Sequence, residues 1–305
     1  MGGHQLRTRL FSSVLQRSQD NLPPTQPGRM PVFQGTGKSP SGGPHWYRER
    51  YGTEPHPACR HHTARRFEKL VKAALFDLDG TLLDTPSMIV AALREETIRV
   101  TGRRHSDDRI RALVGLPLDD IAEALADKDA DHANRIASGY RRRYIERIVP
   151  TGVGLVFPFV EVGLKQLREA GWSIGVVTSK NHQGALEILA SAGLVSAIDV
   201  VVGADDVADP KPHPVPILAA LKRLGVPPKY AVMVGDSRYD IQSGGRAGVR
   251  TIGVNYGVGR ASDLAEAGAG SVHGSFQGAV GELGKCFPTH GRRTFAAIAT
   301  ERKGF

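Results

Sequence analysis

Apolar and polar positions along the chain follow three patterns. Residues 1–70 show no sustained period; Pro, Gly, Ser, Arg and His recur, as in Asn21–Gly28 and Gly35–Pro44. Such a segment buries too little apolar surface to offset its chain entropy and is expected to be disordered. The character changes at Leu70. Ala73–Phe76 is an uninterrupted apolar run that predicts a buried strand over 72–77. From Pro86 to about Tyr144 the pattern is helical. Ile89, Leu93, Glu96 and Thr97 share one repeat, and Ile110, Leu113, Val114 and Leu118 belong to a helix interrupted by Gly115-Leu116-Pro117. Ile121, Ala124 and Leu125 continue it, and Ser138–Arg147 reads as another helix.

After Pro158 helix and strand alternate. Predicted helices are Val160–Ala170, Gln183–Ala192, Val215–Leu224 and Tyr239–Ala247, closed by Gly171, Gly193, Gly225 and Gly248. Predicted strands are Trp172–Thr178, Ala197–Gly203, Tyr230–Gly235 and Arg250–Val254; residues 262–284 add a short helix, an extended stretch at Ser271–His273 and a last helix. This rhythm predicts an α/β fold with a parallel sheet covered on both faces. The helices after the first strand read as a separate small bundle. Close backbone packing is the expected reason for Gly244 and Gly245 inside a helix.

The net charge of +9 over 305 residues raises nucleic acid as a partner, but its distribution removes it. Residues 1–70 carry +7, residues 285–305 carry +4, and residues 71–284 carry −2. The body of the protein offers no phosphate-backbone surface, and no run is long and apolar enough to span a bilayer. Cys59 and Cys286 fall outside the expected domain, so no structural disulfide is expected and a reducing cytoplasm fits. For residues 1–70, three readings compete. One is a targeting helix built on Arg7, Arg9 and Arg17, another a metal group from His56, Cys59, His61 and His62, and the favoured one an incidental extension from a start codon assigned upstream.

Chemistry enters at the strand ends. Asp77 and Asp79 follow the first strand; Thr178, Ser179 and Lys180 the second; Asp205, Asp206 and Lys211 the third; Asp236, Ser237 and Asp240 the fourth. In a parallel sheet these ends share one edge, where ligands bind. Two like charges two residues apart after a buried strand need an offsetting cation. Asp77, Asp79, Asp236 and Asp240 with a hydroxyl and a lysine there are an inventory for a magnesium-assisted phosphoryl site; Asp205 and Asp206 are left out of it. Carboxylates hold Mg²⁺, the lysine and hydroxyl hold phosphate oxygens, and one carboxylate is left to attack.

The run Asp77-Leu-Asp-Gly-Thr-Leu-Leu-Asp84, then Val177-Thr-Ser179, Lys211 in Asp209–Pro214, and Gly235-Asp-Ser-Arg-Tyr-Asp240 resembles the four motifs of the haloacid dehalogenase superfamily of aspartate-nucleophile phosphatases. Within it, Gly115–Leu118, Ala204–Val207, Lys211–Pro214, Val234–Arg238 and Val254–Gly257 are most similar to phosphoglycolate phosphatases, whose near relatives hydrolyse pyrophosphate. The resemblance, which covers about residues 71–284 and says nothing of 1–70, implies a Rossmann-like core over 71–84 and 159–284 and a helical cap over 85–158; the composition leaves 1–70 as a disordered basic extension and 285–305 as a tail. The resemblance implies that Asp77 is the nucleophile and Asp79 the acid/base. Thr178, Ser179 and Lys211 would hold phosphate; Asp77, the Asp79 carbonyl and Asp236 would hold Mg²⁺; Asp240 would orient a metal water or Lys211. Asp84 would shape the hinge into the cap or cap the next helix. The cap, with Arg109, Arg111 or Arg141–Arg143 as a source of cations, would choose a small phosphorylated metabolite. The alternatives carried forward are a pyrophosphatase, a sugar-phosphate phosphatase or phosphomutase of the same fold, and a phospho-aspartate signalling switch.

Overall fold

The computed structural model describes residues 71–287, so the readings of residues 1–70 lie outside the described residues. The chain runs β1 (Lys72–Phe76), α1 (Pro86–Thr101), α2 (Asp107–Arg111), α3 (Leu118–Leu125) and α4 (Ala130–Arg143). A π-type turn (Tyr144–Ile148) and a 3-10 turn (Val149–Leu155) follow, then α5 (Val160–Glu169), β2 (Trp172–Val177), α6 (His182–Ser191) and β3 (Val200–Val202). The rest is α7 (Val215–Leu224), β4 (Ala231–Gly235), α8 (Arg238–Arg246), β5 (Arg250–Val254), α9 (Ala261–Glu266), β6 (Ser271–His273) and α10 (Phe276–Cys286).

The six strands pair in parallel in the order β3-β2-β1-β4-β5-β6. Strand β1 is buried throughout, which explains why its sequence is apolar without alternation. Successive side chains of a strand point to opposite faces. Accordingly Ala74 and Phe76 join one core layer with Leu164 and Phe276, while Ala73 and Leu75 join the other with Ile217 and Leu221. The rings of Phe76 and Phe276 lie 5.5 Å apart, and burying such a ring contributes about 1.5–3 kcal/mol. Because β2 lies on one side of β1 and β4 on the other, the sheet order reverses at β1 and opens a crevice beyond its carboxyl end.

Helices α1–α4 and the two turns leave the core after β1 and return before α5. The crossings are paired: the Asp84 N–H donates to Leu155 O (2.7 Å) and the Phe157 N–H to Leu82 O (3.1 Å). Asp84 thus serves the hinge through its backbone; the expected helix cap is not seen, since Thr85 occupies that position without a side-chain bond.

Between α1 and α4 the Glu96 side chain is shut off from solvent. Gly139 makes room for it, since a Cβ there would lie 2.0 Å from Glu96 Oε2. Burial raises the Glu96 pKa, but hydrogen bonds from Arg99 and Arg143 outweigh it and hold it below the ordinary value. Burial is the largest single effect on the carboxylate, and the two guanidinium heads that cover it exceed it only together. Glu96→Gln is expected to cost about 1–3 kcal/mol at neutral pH. With a folded pKa below the unfolded one, the contribution is present above the ordinary glutamate pKa and vanishes as pH falls through the lowered value. Urea titrations of both proteins at neutral and acidic pH check this: the gap should close in acid.

Five sequence expectations are corrected. Helix α4 begins at Ala130, not Ser138, because Asp129 caps it through the His132 N–H (2.9 Å). The β3 strand shrinks to three residues, since Val195–Ala197 forms a tight turn. The last helix reaches Cys286, and the Phe287 ring packs tilted against Trp172 and edge-on against Tyr230, so the fold extends past 285. Gly244 packs against Thr251 and Met233 as expected, whereas Gly245 has open space around it. The helix expected through Ile110, Leu113 and Val114 stops at Arg111 and gives way to a turn; the remaining predicted helices and strands agree within a residue or two at each end, and α5–α8 end on the expected glycines in left-handed conformation.

Candidate active site

Asp77 leaves the end of β1 with its N–H on Val234 O (2.9 Å). That bond to the neighbouring strand aims its side chain into the crevice, where it is buried. Lys211 arrives from the loop before α7 and places Nζ 2.6 Å from Asp77 Oδ1, 2.6 Å from Asp240 Oδ1 and 3.1 Å from Val177 O. All three of its N–H groups are engaged. Asp240 lies in the first turn of α8; its other oxygen accepts the Ser237 N–H (3.0 Å) and hydroxyl (2.6 Å), a capping box. Asp240 therefore both caps its helix and anchors Lys211.

Asp236 follows β4 and is buried, taking the Thr81 hydroxyl (3.2 Å) on one oxygen and the Val258 N–H (2.7 Å) on the other. The chain closes tightly around it. A Cβ on Gly80, which sits at φ +92°, or on Gly257 would lie 2.1 Å from its Oδ2. The glycine after Asp79 thus serves both a left-handed turn and the close approach of a carboxylate.

One oxygen each from Asp77, Asp236 and Asp240 lie within 4.8 Å of one another, among the described residues the one such cluster of metal-ligand type. Three buried carboxylates face one ammonium. Burial pushes Asp77 up to about 7 despite the Lys211 ammonium, with Asp240 and Asp79 adding repulsion. Asp236 rises well above the carboxylate range through burial and through Asp77 and Asp240. Burial works against the Lys211 charge, but Asp240 and Asp77 outweigh it and hold its pKa above the ordinary value. An all-oxygen set with surplus negative charge suits a hard divalent cation. Asp77 and Asp236 are its natural donors: Asp77 has one oxygen without a partner and Asp236 meets only neutral donors, whereas Asp240 is committed to the Lys211 ammonium and the Ser237 cap.

Asp79, two residues from Asp77, faces a different neighbourhood. It accepts the Thr85 hydroxyl on Oδ1 (2.6 Å), and Lys180 Nζ lies 3.1 Å from Oδ2. Lys180 in turn sits 3.8 Å above the ring of Tyr144, the residue that follows α4 in the helical insertion. These groups border a cavity of about 410 Å³ between the sheet edge and the helices, walled on the far side by Ile89, Leu93, Tyr140 and Tyr144. Thr178 is buried at the cavity beside Asp77, and its hydroxyl accepts the Lys180 N–H (3.2 Å). The Ser179 hydroxyl instead donates to Gly115 O (2.6 Å), tying the Gly115–Pro117 loop to the core.

The structure thus gathers Asp77, Asp79, Thr178, Ser179, Lys211, Asp236 and Asp240 at one sheet edge. The expected arginines do not converge with them. Arg143 is bound by Glu95 and Glu96, and Arg109 faces Ala124 O and Asp127. Among the five, only Arg141 lines the cavity, bound to Asp119 (2.7 Å). Sequence reading assigned no role to Thr81, Thr85, Tyr140, Tyr144, Lys180 or Ser237. The Ser237-x-x-Asp240 spacing was a readable capping signal. In Tyr140-Arg-Arg-Arg-Tyr144 the arginines drew notice, whereas the two tyrosines at helical spacing border the site.

A family model described as haloacid dehalogenase-like hydrolase matches residues 74–254. A probable phosphatase, IndB, of Dickeya dadantii is 39% identical over 213 residues, 68% of this chain and 91% of the relative. The pyrophosphatase PpaX of Bacillus velezensis is 34% identical, with coverage of 65% and 89%. A phosphoglycolate phosphatase of Salmonella paratyphi A is 30% identical, with coverage of 70% and 93%.

Proposed function

The chain belongs to the haloacid dehalogenase-like hydrolases and is a phosphatase of that family, and we propose that it is a Mg²⁺-dependent enzyme that hydrolyses a small phosphomonoester, foremost 2-phosphoglycolate, through an aspartyl-phosphate on Asp77. The observation that carries this reading is the division of labour on one loop: Asp77 lies in the carboxylate cluster against Lys211, and Asp79 two residues on faces the cavity under the helices.

In the first step an Asp77 oxygen attacks phosphorus, and the bond from phosphorus to the leaving oxygen breaks as Asp79 gives that oxygen a proton. In the second, Asp79 takes a proton from a water that attacks the same phosphorus, which releases inorganic phosphate and restores Asp77. Thr178 and main-chain amides of the Asp77–Asp79 loop bind the non-bridging oxygens. Lys211 holds Asp77 in line, and its donor to Asp77 is free to pass to a phosphoryl oxygen once the Asp77 carboxylate is esterified. Ser179 acts by holding the Gly115 loop over the site. Asp77 and Asp236, with the Asp79 carbonyl, would hold Mg²⁺, and Asp240 keeps Lys211 oriented. The cation supplies charge neutralisation for the acids and the incoming phosphoryl group.

Tests follow from the cluster chemistry. Dialysis against EDTA should abolish phosphate release from p-nitrophenyl phosphate, and Mg²⁺ should restore it; full activity after chelation would overturn the metal assignment. A screen of 2-phosphoglycolate, pyrophosphate and sugar phosphates should place 2-phosphoglycolate highest in kcat/KM. Pyrophosphate on top would favour the second reading, which the likeness to a pyrophosphatase supports.

A further inference from the structure

We propose that Lys180 reads a second anionic group on the leaving-group side of the substrate, making the site selective for phosphate esters and anhydrides whose leaving group carries a carboxylate or a phosphate. The proposal rests on the phosphatase reading above and on the place given there to Asp79.

The first observation is position. Asp79 marks the side of the cavity where the leaving oxygen must lie, and Lys180 Nζ stands 3.1 Å from it. Lys211 does not line this cavity; it is held by Asp77, Asp240 and Val177 O, with its donors engaged. Lys180 therefore meets what departs, not what is transferred.

The second is scarcity of cations. Of the lysines and arginines among the described residues, the cavity is lined by Lys180 and Arg141 alone. Arg141 is half exposed and bonded to Asp119. The opposite wall is Ile89, Leu93, Tyr140 and Tyr144. An anionic tail entering this space without a cation would be buried unpaired beside hydrocarbon and beside Asp79, which is strongly unfavourable. Lys180 is the group able to receive it.

The third is how the ammonium is held. Its side chain is only 10% exposed. A lysine head has three N–H donors; Asp79 and the face of the Tyr144 ring, 3.8 Å away, engage at most two. A ring face stabilises a cation without claiming its full charge, as a second carboxylate would. The Tyr144 hydroxyl is buried without a hydrogen-bond partner, so this aromatic is placed for its ring. A flexible stem is thus ordered while its charge stays available to a ligand. Tyr144 comes from the insertion and Asp79 from the core, so the anion would be received where the two meet.

The test compares three substrates with Mg²⁺ present: 2-phosphoglycolate, pyrophosphate and 2-hydroxyethyl phosphate, which replaces the carboxylate of the first with a neutral alcohol. Lys180→Met keeps the stem and removes the charge. It should lower kcat/KM for the two anionic-leaving-group substrates roughly 10- to 100-fold, mostly through KM. For 2-hydroxyethyl phosphate the loss, which reports the Lys180 contact with Asp79 alone, should be at least about tenfold smaller, so the ratio between substrates measures the contact with the anion. Lys180→Arg should recover part of the loss. Loss on one anionic substrate alone would identify which anion is read and support the proposal. An equal loss on all three would overturn it, because Lys180 would then act through Asp79 or the fold. Failure of the unaltered protein to hydrolyse any of the three would overturn the phosphatase reading itself, and the proposal with it.

Discussion

Asp77→Asn is expected to lower kcat on 2-phosphoglycolate by at least about 10⁴-fold, the scale of losing a nucleophile outright. An amide of the same shape does not attack phosphorus, and no neighbouring acid can take its place. Asp236 is enclosed by Gly80, Gly257, Thr81 and Val258, and Asp240 is bonded to Lys211 and Ser237. The same change should leave the fold at least as stable as before. It removes one of three buried like charges, and Lys211 keeps Asp240 and Val177 O as partners. A near-zero rate with an unchanged or raised melting temperature is the expected pair of results. Retained activity would sink the nucleophile assignment.

Lys211→Met should do the reverse to stability. The side chain is 1% exposed and stands between two carboxylates at 2.6 Å each. Removing one partner of a buried ion pair costs about 3–5 kcal/mol, because the charges left behind have neither water nor a counter-ion. Here two acids, Asp77 and Asp240, are left without it. Urea unfolding should show that loss, and Mg²⁺ should recover part of it by replacing the missing positive charge. Activity should fall as well, so this variant fails in both assays where Asp77→Asn fails in one. A Lys211→Met protein as stable as the unaltered one would contradict the ion pairs of Lys211 with Asp77 and Asp240 as the source of that stability.

How far the sequence could be read depended on what each residue answers to. Strand β1 and the alternation after Pro158 were legible because burial on both faces demands uninterrupted apolar runs and helix ends demand glycine. The acids were legible because parallel strands bring their carboxyl ends to one edge. What the sequence hid was set by contacts across the fold. Helix α4 opens with Ala130-Asp-His-Ala-Asn-Arg135, polar enough to pass for a loop, and only the Asp129 cap and the buried stripe Ile136, Ala137, Tyr140 reveal its true start. The basic run at 141–143 invited a substrate-binding reading, yet Arg143 is spent on Glu95 and Glu96 on the neighbouring helix, and charge along a sequence does not say which acids are nearby. Lys180 was in view after the second strand, but its importance comes from Asp79 and Tyr144, far apart in sequence and adjacent in space. The same holds for Thr81 on Asp236, across 155 positions.

The central claim is a covalent phosphoryl group on Asp77, and Asp79→Asn is the protein in which to seek it. With p-nitrophenyl phosphate the leaving group departs without needing a proton, so attack by Asp77 should proceed in this variant. Hydrolysis should then stall, because no base remains to activate water. Acid quenching during turnover, followed by mass spectrometry of the peptide that contains Asp77, should find one phosphoryl group on Asp77 in Asp79→Asn and none when Asp77→Asn is added. Phosphate release by Asp79→Asn at the unaltered rate with no labelled peptide, or a phosphoryl group on any other residue, would contradict it.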